Sequence, residues 1–224
     1  MMRDYNAAIA KLAMPPRFAK LRVDERGFPV PKFVSWIDGK PDFRVVDGRW
    51  MGKAVNHKLC WLCGERLGRH LAFVIGPMCA VNRVNSEPPS HLDCAHFAVQ
   101  ACPFMVNPQR KRDTYNYPEG TQTPAGIPLD RNPGVMLIWV TDNYKPFRAR
   151  TDVDPGIPGG VLFRLGDPTH LEWWARGRKA TREEILASFY SGLPLLRKIA
   201  ESDGEDAVEE YQREVDRVMA LVPA

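Results

Sequence analysis

The chain has 224 residues, of which 44% are hydrophobic, enough to bury the core of one domain or of two tightly packed ones. No run of eighteen apolar residues occurs, which excludes a helical membrane span, and charge in Met1-Met2-Arg3-Asp4 interrupts any secretory leader, so a cytoplasmic location is expected. The net charge of +4 is uneven: residues 1–120 carry 18 Lys and Arg against 11 Asp and Glu, whereas residues 121–224 carry 13 against 16, which turns the first half toward anionic partners such as DNA or RNA.

Along the chain, Val30 to Ile37 and Asp42 to Val46 read as strands joined through Asp38-Gly39, a dipeptide suited to a tight hairpin turn. Cys60-Trp61-Leu62-Cys63 follows, with Gly64 directly after it. Two thiolates three residues apart reach one ion only if the chain folds back sharply, and glycine allows the positive φ of such a knuckle. An irregular β-hairpin is expected from Leu71 to Val84. Glu87-Pro88-Pro89-Ser90 then reads as a stop followed by an N-cap, and Ser90 with Asp93 has capping-box spacing. The helix so opened should run to about Cys102, before Pro103, with His91 and Cys94 projecting from one face of its first turn.

Cys60, Cys63, His91 and Cys94 together form the donor set of one structural, tetrahedral zinc ion. Cys79 is the alternative to His91 as fourth ligand, while Cys102, about 12 Å along a helix from Cys94, is too far to share the ion. The odd total of five cysteines fits reduced, metal-binding thiols better than a disulfide framework. Knuckle, hairpin and ligand-bearing helix, in that order, predict a treble-clef-like finger within an α+β fold.

Residues 103–134 are rich in Pro, Asn, Arg and Gly, and a linker or long loop is placed at 108–134. Val135 to Val140 is a buried strand by its apolar continuity, with Val161 to Leu165 as its expected partner. Asp167-Pro168 is read as opening a helix through Trp173 and Trp174 to Gly177. Thr181 to Glu184 is a capping box for a helix ending near Gly192-Leu193-Pro194, and a last amphipathic helix aligns Ala207, Val208, Tyr211, Val215, Val218 and Val222. The resulting division is 1–13 as an extension, 14–107 with hairpin and zinc site, 108–134 as linker, and 135–224 as an α+β region packed on the first.

Segments Met14-Pro15-Pro16-Arg17-Phe18-Ala19-Lys20-Leu21, Cys60 to Glu65, Ser86 to His91 and Gly192-Leu193-Pro194 resemble an uncharacterised family of phage and prophage proteins. The resemblance covers most of the chain from Met14 onward, and it implies a phage-related intracellular setting without any mechanism.

For function, Arg66, Arg69, Arg83, Arg110, Lys111 and Arg112 form an expected basic face, with Tyr115 and Tyr117 offering rings to stack on bases. A nucleic-acid-binding or regulatory module is the leading reading. A protein-interaction module acting through an apolar patch near Trp173 and Trp174 is the alternative, and a divergent HNH-type nuclease is the second. The nuclease would need His70, Asn82 and Asn85 around another metal, although Leu71 to Asn85 holds no histidine.

Overall fold

A computed structural model describes residues 5–111, 131–149 and 160–224, and its element order is mixed α and β. β1 (Val34–Ile37) and β2 (Lys40–Val46) pair as an antiparallel ribbon, with Asp38 (φ 48°) and Gly39 (φ 78°) in the turn between them. Two successive left-handed residues give a turn whose twist matches the strands, which is why Asp-Gly works there. The register jumps from Ser35–Asp42 to Val34–Val46, so Phe43 to Val45 bulge out of the ladder. Asp47 caps α1 (Gly48–His57), an element not expected from the sequence, by accepting from the Arg49 N–H.

A four-stranded antiparallel sheet in the order β3-β5-β8-β9 forms the centre: β3 is Leu71–Ile75, β5 Met136–Thr141, β8 His170–Ala175 and β9 Arg178–Lys179. Every residue of β5 is buried because both of its faces are covered. Met136, Ile138 and Val140 pack with Ala95 and Val99 of α3 (Leu92–Ala101). Leu137 and Trp139 face the opposite way, into a cluster with Phe163, Ile185, Phe189 and Val218. The period of two along the strand therefore serves two apolar layers. Since β3 and β5 are neighbours, the stretches 14–107 and 135–224 share one sheet, and Ile9 is buried against Phe18, Leu21 and Cys60.

Several expectations fail on non-local grounds. The hairpin from Leu71 to Val84 does not form: Pro77 has no N–H for a ladder, and after Gly76 it opens α2 (Pro77–Asn82) instead. β4 (Val84–Asn85) then pairs with β7 (Gly160–Leu165), which pairs in turn with β6 (Tyr144–Ala149). Val161 to Leu165 is thus a strand, but in a different sheet from β5, with Phe163 and Leu165 in the same apolar cluster as Leu137 and Trp139. The helix expected over Asp167 to Gly177 is β8, which supplies the second edge partner of β5, and Arg176 (φ 54°) with Gly177 (φ 74°) turns it into β9.

The Thr181 capping box is present: its hydroxyl accepts from the Glu184 N–H at 3.3 Å, and the Glu184 carboxylate accepts from the Thr181 N–H at 3.0 Å. α4 (Arg182–Asp203) does not stop at Gly192-Leu193-Pro194 as expected. Proline removes one helical bond, toward Tyr190, whose exposure is 61%. Burial of Ile185 and Phe189 before the proline and Ala200 after it outweighs that loss. Gly192 lets the helix approach α2 closely, since a Cβ there would lie 2.8 Å from Met78. α5 (Glu205–Met219) buries Val215 and Val218, as its pattern predicts. Among the described residues no helix is long and apolar enough to cross a membrane.

Candidate metal centre

The knuckle is held by its own backbone. Cys60 N–H donates to the Glu65 carbonyl at 2.8 Å, Gly64 N–H to the Cys60 carbonyl at 3.0 Å, and Leu59 bridges Arg66. Gly64 has φ 81°, and a Cβ there would meet Lys32 at 2.9 Å and the Trp50 ring at 3.1 Å, so geometry and space both require glycine. The Cys63 N–H points at Cys60 Sγ (3.4 Å) and the Glu65 N–H at Cys63 Sγ (3.5 Å), donors that favour the thiolate forms.

The second pair is delivered differently from the expected way. Ser90 does not cap α3: its N–H and C=O bond to Ala72, extending the edge of β3, and the capping box with Asp93 is not made. His91 is the N-cap residue, with extended backbone angles, and Cys94 lies in the first turn. The helix start is therefore fixed by pairing with β3, and this pairing aims His91 and Cys94 at the knuckle.

Ligand atoms of Cys60, Cys63, His91 and Cys94 all lie within 4.8 Å of one another, a group able to hold a metal ion. His91 Nδ1 is 3.4 Å from Cys63 Sγ and 3.9 Å from Cys94 Sγ. A tetrahedral ion bound at about 2.0 Å by nitrogen and about 2.3 Å by sulfur needs sulfur–nitrogen edges of about 3.6 Å. The other ring nitrogen, Nε2, donates to the Arg66 carbonyl at 3.0 Å, which leaves the Nδ1 lone pair for a cation. Three sulfurs and one nitrogen fill a tetrahedron, so the site is closed and suited to structure rather than to activating water.

Electrostatics point the same way. Hydrogen bonding from Cys63 and then Cys94 holds Cys60 far below the usual thiol range, while the bond to Cys60 pushes Cys63 up to about 11 and Cys94 upward as well. One negative charge is tolerated in this pocket and three are not, unless a cation joins them. The His91 pKa is raised, chiefly by its bond to Cys60.

Arg17, in a short 3-10 helix (Pro16–Lys20), links the N-terminal segment to this centre. Its Nη1 lies 2.6 Å from Asp93 and its Nε 3.6 Å from Glu65. Three thiolates around a divalent cation leave one negative charge, which the guanidinium offsets. Arg17→Ala should weaken metal retention about tenfold to a hundredfold, measured by competition with a chromophoric chelator, and Arg17→Lys should restore part of it. Phe18 meets Phe97 of α3 edge-on at 5.1 Å, and Ile9 and Leu21 complete the apolar cover.

The remaining candidates are dispersed. Cys79 lies on α2, apart from the cluster, with burial pushing its thiol up to about 11, and Cys102 follows the last turn of α3, also raised by burial. Arg66 gives its carbonyl to His91, Arg69 pairs with Asp142 at 3.4 Å beside a shallow cleft at His91, and Arg83 pairs with Asp167 and lines a groove among α2, α4 and α5. Arg69 and Arg83 therefore line different recesses. Arg110 and Lys111 are anchored by backbone pairing to Asn132 and Arg131, and Arg112, Tyr115 and Tyr117 lie outside the described residues. His70 lines the cleft at His91, whereas Asn82 and Asn85 line the groove, so a nuclease-like grouping of the three is not assembled. Trp173 is buried in the core and Trp174 is partly buried near His96, the ordinary packing of tryptophans rather than the exposed patch that an interaction module would need there.

The sequence reading missed a cluster at Glu172 on β8. His96 Nε2 (2.9 Å), His170 Nε2 (2.8 Å), Trp174 Nε1 (3.0 Å) and Lys179 Nζ (2.5 Å) converge on its carboxylate, tying α3 to β8 and β9. Only the period-two spacing of His170, Glu172 and Trp174 could have signalled it, once β8 was known to be a strand. Burial alone would raise the Glu172 pKa, but donors from Lys179, His170 and His96 outweigh it and hold the group at about 2. A depressed carboxylate stabilises the fold above its unfolded pKa, so this contribution should fade as pH falls from about 4.5 to about 2. Glu172→Gln should cost on the order of 2–3 kcal/mol at pH 7 in denaturant melts, with the gap to the parent closing through that window.

No family model, no curated protein and no solved structure matches this chain.

Proposed function

We propose that this is a zinc protein of phage or prophage type, working inside the cell as a nucleic-acid-binding or regulatory module with one structural zinc. The observation that carries the zinc reading is the closed group of Cys60, Cys63, His91 and Cys94, whose sulfur and nitrogen donors suit a borderline-soft tetrahedral ion. A knuckle followed by a helix whose first turn brings the second ligand pair supports a treble-clef-like centre, here with β3, α2 and β4 between them rather than a hairpin. A site without an open position favours a binding role over hydrolysis.

Net charge of +7 over residues 1–120, the half that holds the metal ligands, favours a polyanionic partner. Labelled single- and double-stranded DNA and RNA, titrated with zinc-loaded protein at about 50 mM salt and again at higher salt, test the reading. Binding should weaken with salt and persist without magnesium, with no cleavage of the probe. An Arg110/Lys111/Arg112→Ala variant should flatten the salt slope. Absence of binding to every probe at low salt would shift the assignment to a protein-interaction module.

A further inference from the structure

We infer that the β1–β2 ribbon is the surface on which single-stranded nucleic acid stacks, an assignment that rests on the nucleic-acid reading above. The chain segment around Val23–Pro29 lies beside this ribbon, joined to it by two cation–ring contacts. The Arg22 guanidinium sits 3.3 Å from the centre of the Trp36 ring. Arg26 lies 5.4 Å from Phe43 and 5.6 Å from Phe28. Trp36 and Phe43 each meet an arginine of this one segment, so the two rings and the two guanidinium groups lie along the side of the ribbon that faces it.

This row is built rather than incidental. Phe43 sits in the β2 bulge with 42% of its surface exposed, and its ring is met by Arg26. Arg26 is held by Asp24, a nearly buried carboxylate that takes its Nε at 2.9 Å and Nη2 at 2.7 Å and also caps the Phe28 N–H at 2.8 Å. Phe33 stacks on Trp61 at 4.9 Å with planes 5° apart, fastening the base of the ribbon to the metal knuckle. Flat groups already fixed in place lose little entropy when a base stacks on them.

Charge selects the occupant. Arg22 is exposed and has no carboxylate partner among the described residues, so the row carries positive charge available to phosphates. The bases of a duplex are stacked on each other and hidden from such rings, whereas those of a single strand are free. With Arg22 the one uncompensated cation named on the row, stacking supplies most of the selectivity, and the long-range charge of the basic half supplies the salt dependence.

The test is fluorescence anisotropy of zinc-loaded full-length protein with labelled oligo(dT), oligo(U) and a duplex of matched length. Wild type should prefer the single strands. Phe43→Ala and Phe43→Leu should each lose about tenfold in affinity with the salt slope unchanged, while Phe43→Trp, which keeps a ring, should bind like wild type. Arg22→Ala should also weaken binding and lower the slope by about 0.7. Lys198→Ala, on α4, is the control and should change nothing. Undiminished binding by Phe43→Ala and Arg22→Ala, or preference for the duplex, overturns this surface and leaves nucleic-acid binding standing. Failure of wild type to bind any probe overturns the nucleic-acid reading itself, and the surface with it.

Discussion

Chelation of the metal should unfold the segment around Cys60, Cys63, His91 and Cys94 while leaving the β5-centred core folded. The knuckle side of the molecule is held by an apolar cluster that includes the three cysteines themselves with Ile9, Phe18, Leu21 and Phe97. Without a cation, three sulfurs and an imidazole face one another in a largely buried space and repel as they ionise. In such centres metal-binding free energy is folding free energy, about 10–16 kcal/mol for structural zinc in small fingers. Cys63→Ser should reproduce the effect, with metal stoichiometry falling from about one per chain toward zero and early protease cleavage before residue 70. Acid should act in the same direction: thiolates bind the metal and thiols do not, so retention rises with pH and fails as pH drops. Hydrogen exchange before and after chelation checks the division, and uniform protection in the metal-free protein would refute it.

The second large effect is expected at Trp139. The residue is fully buried in β5 and its indole N–H donates to the Gly166 carbonyl at 3.0 Å. Trp139→Ala should therefore lose about 3–5 kcal/mol of packing and the hydrogen bond to the partly buried Gly166 carbonyl, costing about 1 kcal/mol more. Since domains of this size are stable by only about 5–15 kcal/mol, the variant should be largely unfolded or melt at least ten degrees lower. Trp139→Phe, which keeps most of the volume and loses the donor, should fall between. Denaturant titration of the three proteins checks the order, and a Trp139→Ala midpoint equal to the parent's would contradict the central position assigned to β5.

The sequence by itself determined the features whose causes are local. The four residues that gather close enough to hold a metal ion could be named because knuckle spacing, the glycine at 64 and a histidine–cysteine pair at helix spacing each state a short-range requirement. The Asp38-Gly39 turn, the Thr181 capping box and the apolar stripe of α5 were legible for the same reason: a few adjacent residues fix the geometry. Partner choice was decided by the tertiary structure alone. Leu71 to Ile75 and Met136 to Val140 both read as apolar runs, and nothing in either run says that they pair with each other. His170 to Ala175 could bury Trp173 as helix or as strand, and the open edge of β5 selected the strand. Helix α4 continued through Pro194 because burial on both sides of it outweighs one missing hydrogen bond. Even the cap of α3 moved from Ser90 to His91 once Ala72 claimed the backbone of Ser90. Short-range stereochemistry is written in neighbouring residues, whereas strand pairing depends on complementary surfaces brought together from distant parts of the chain.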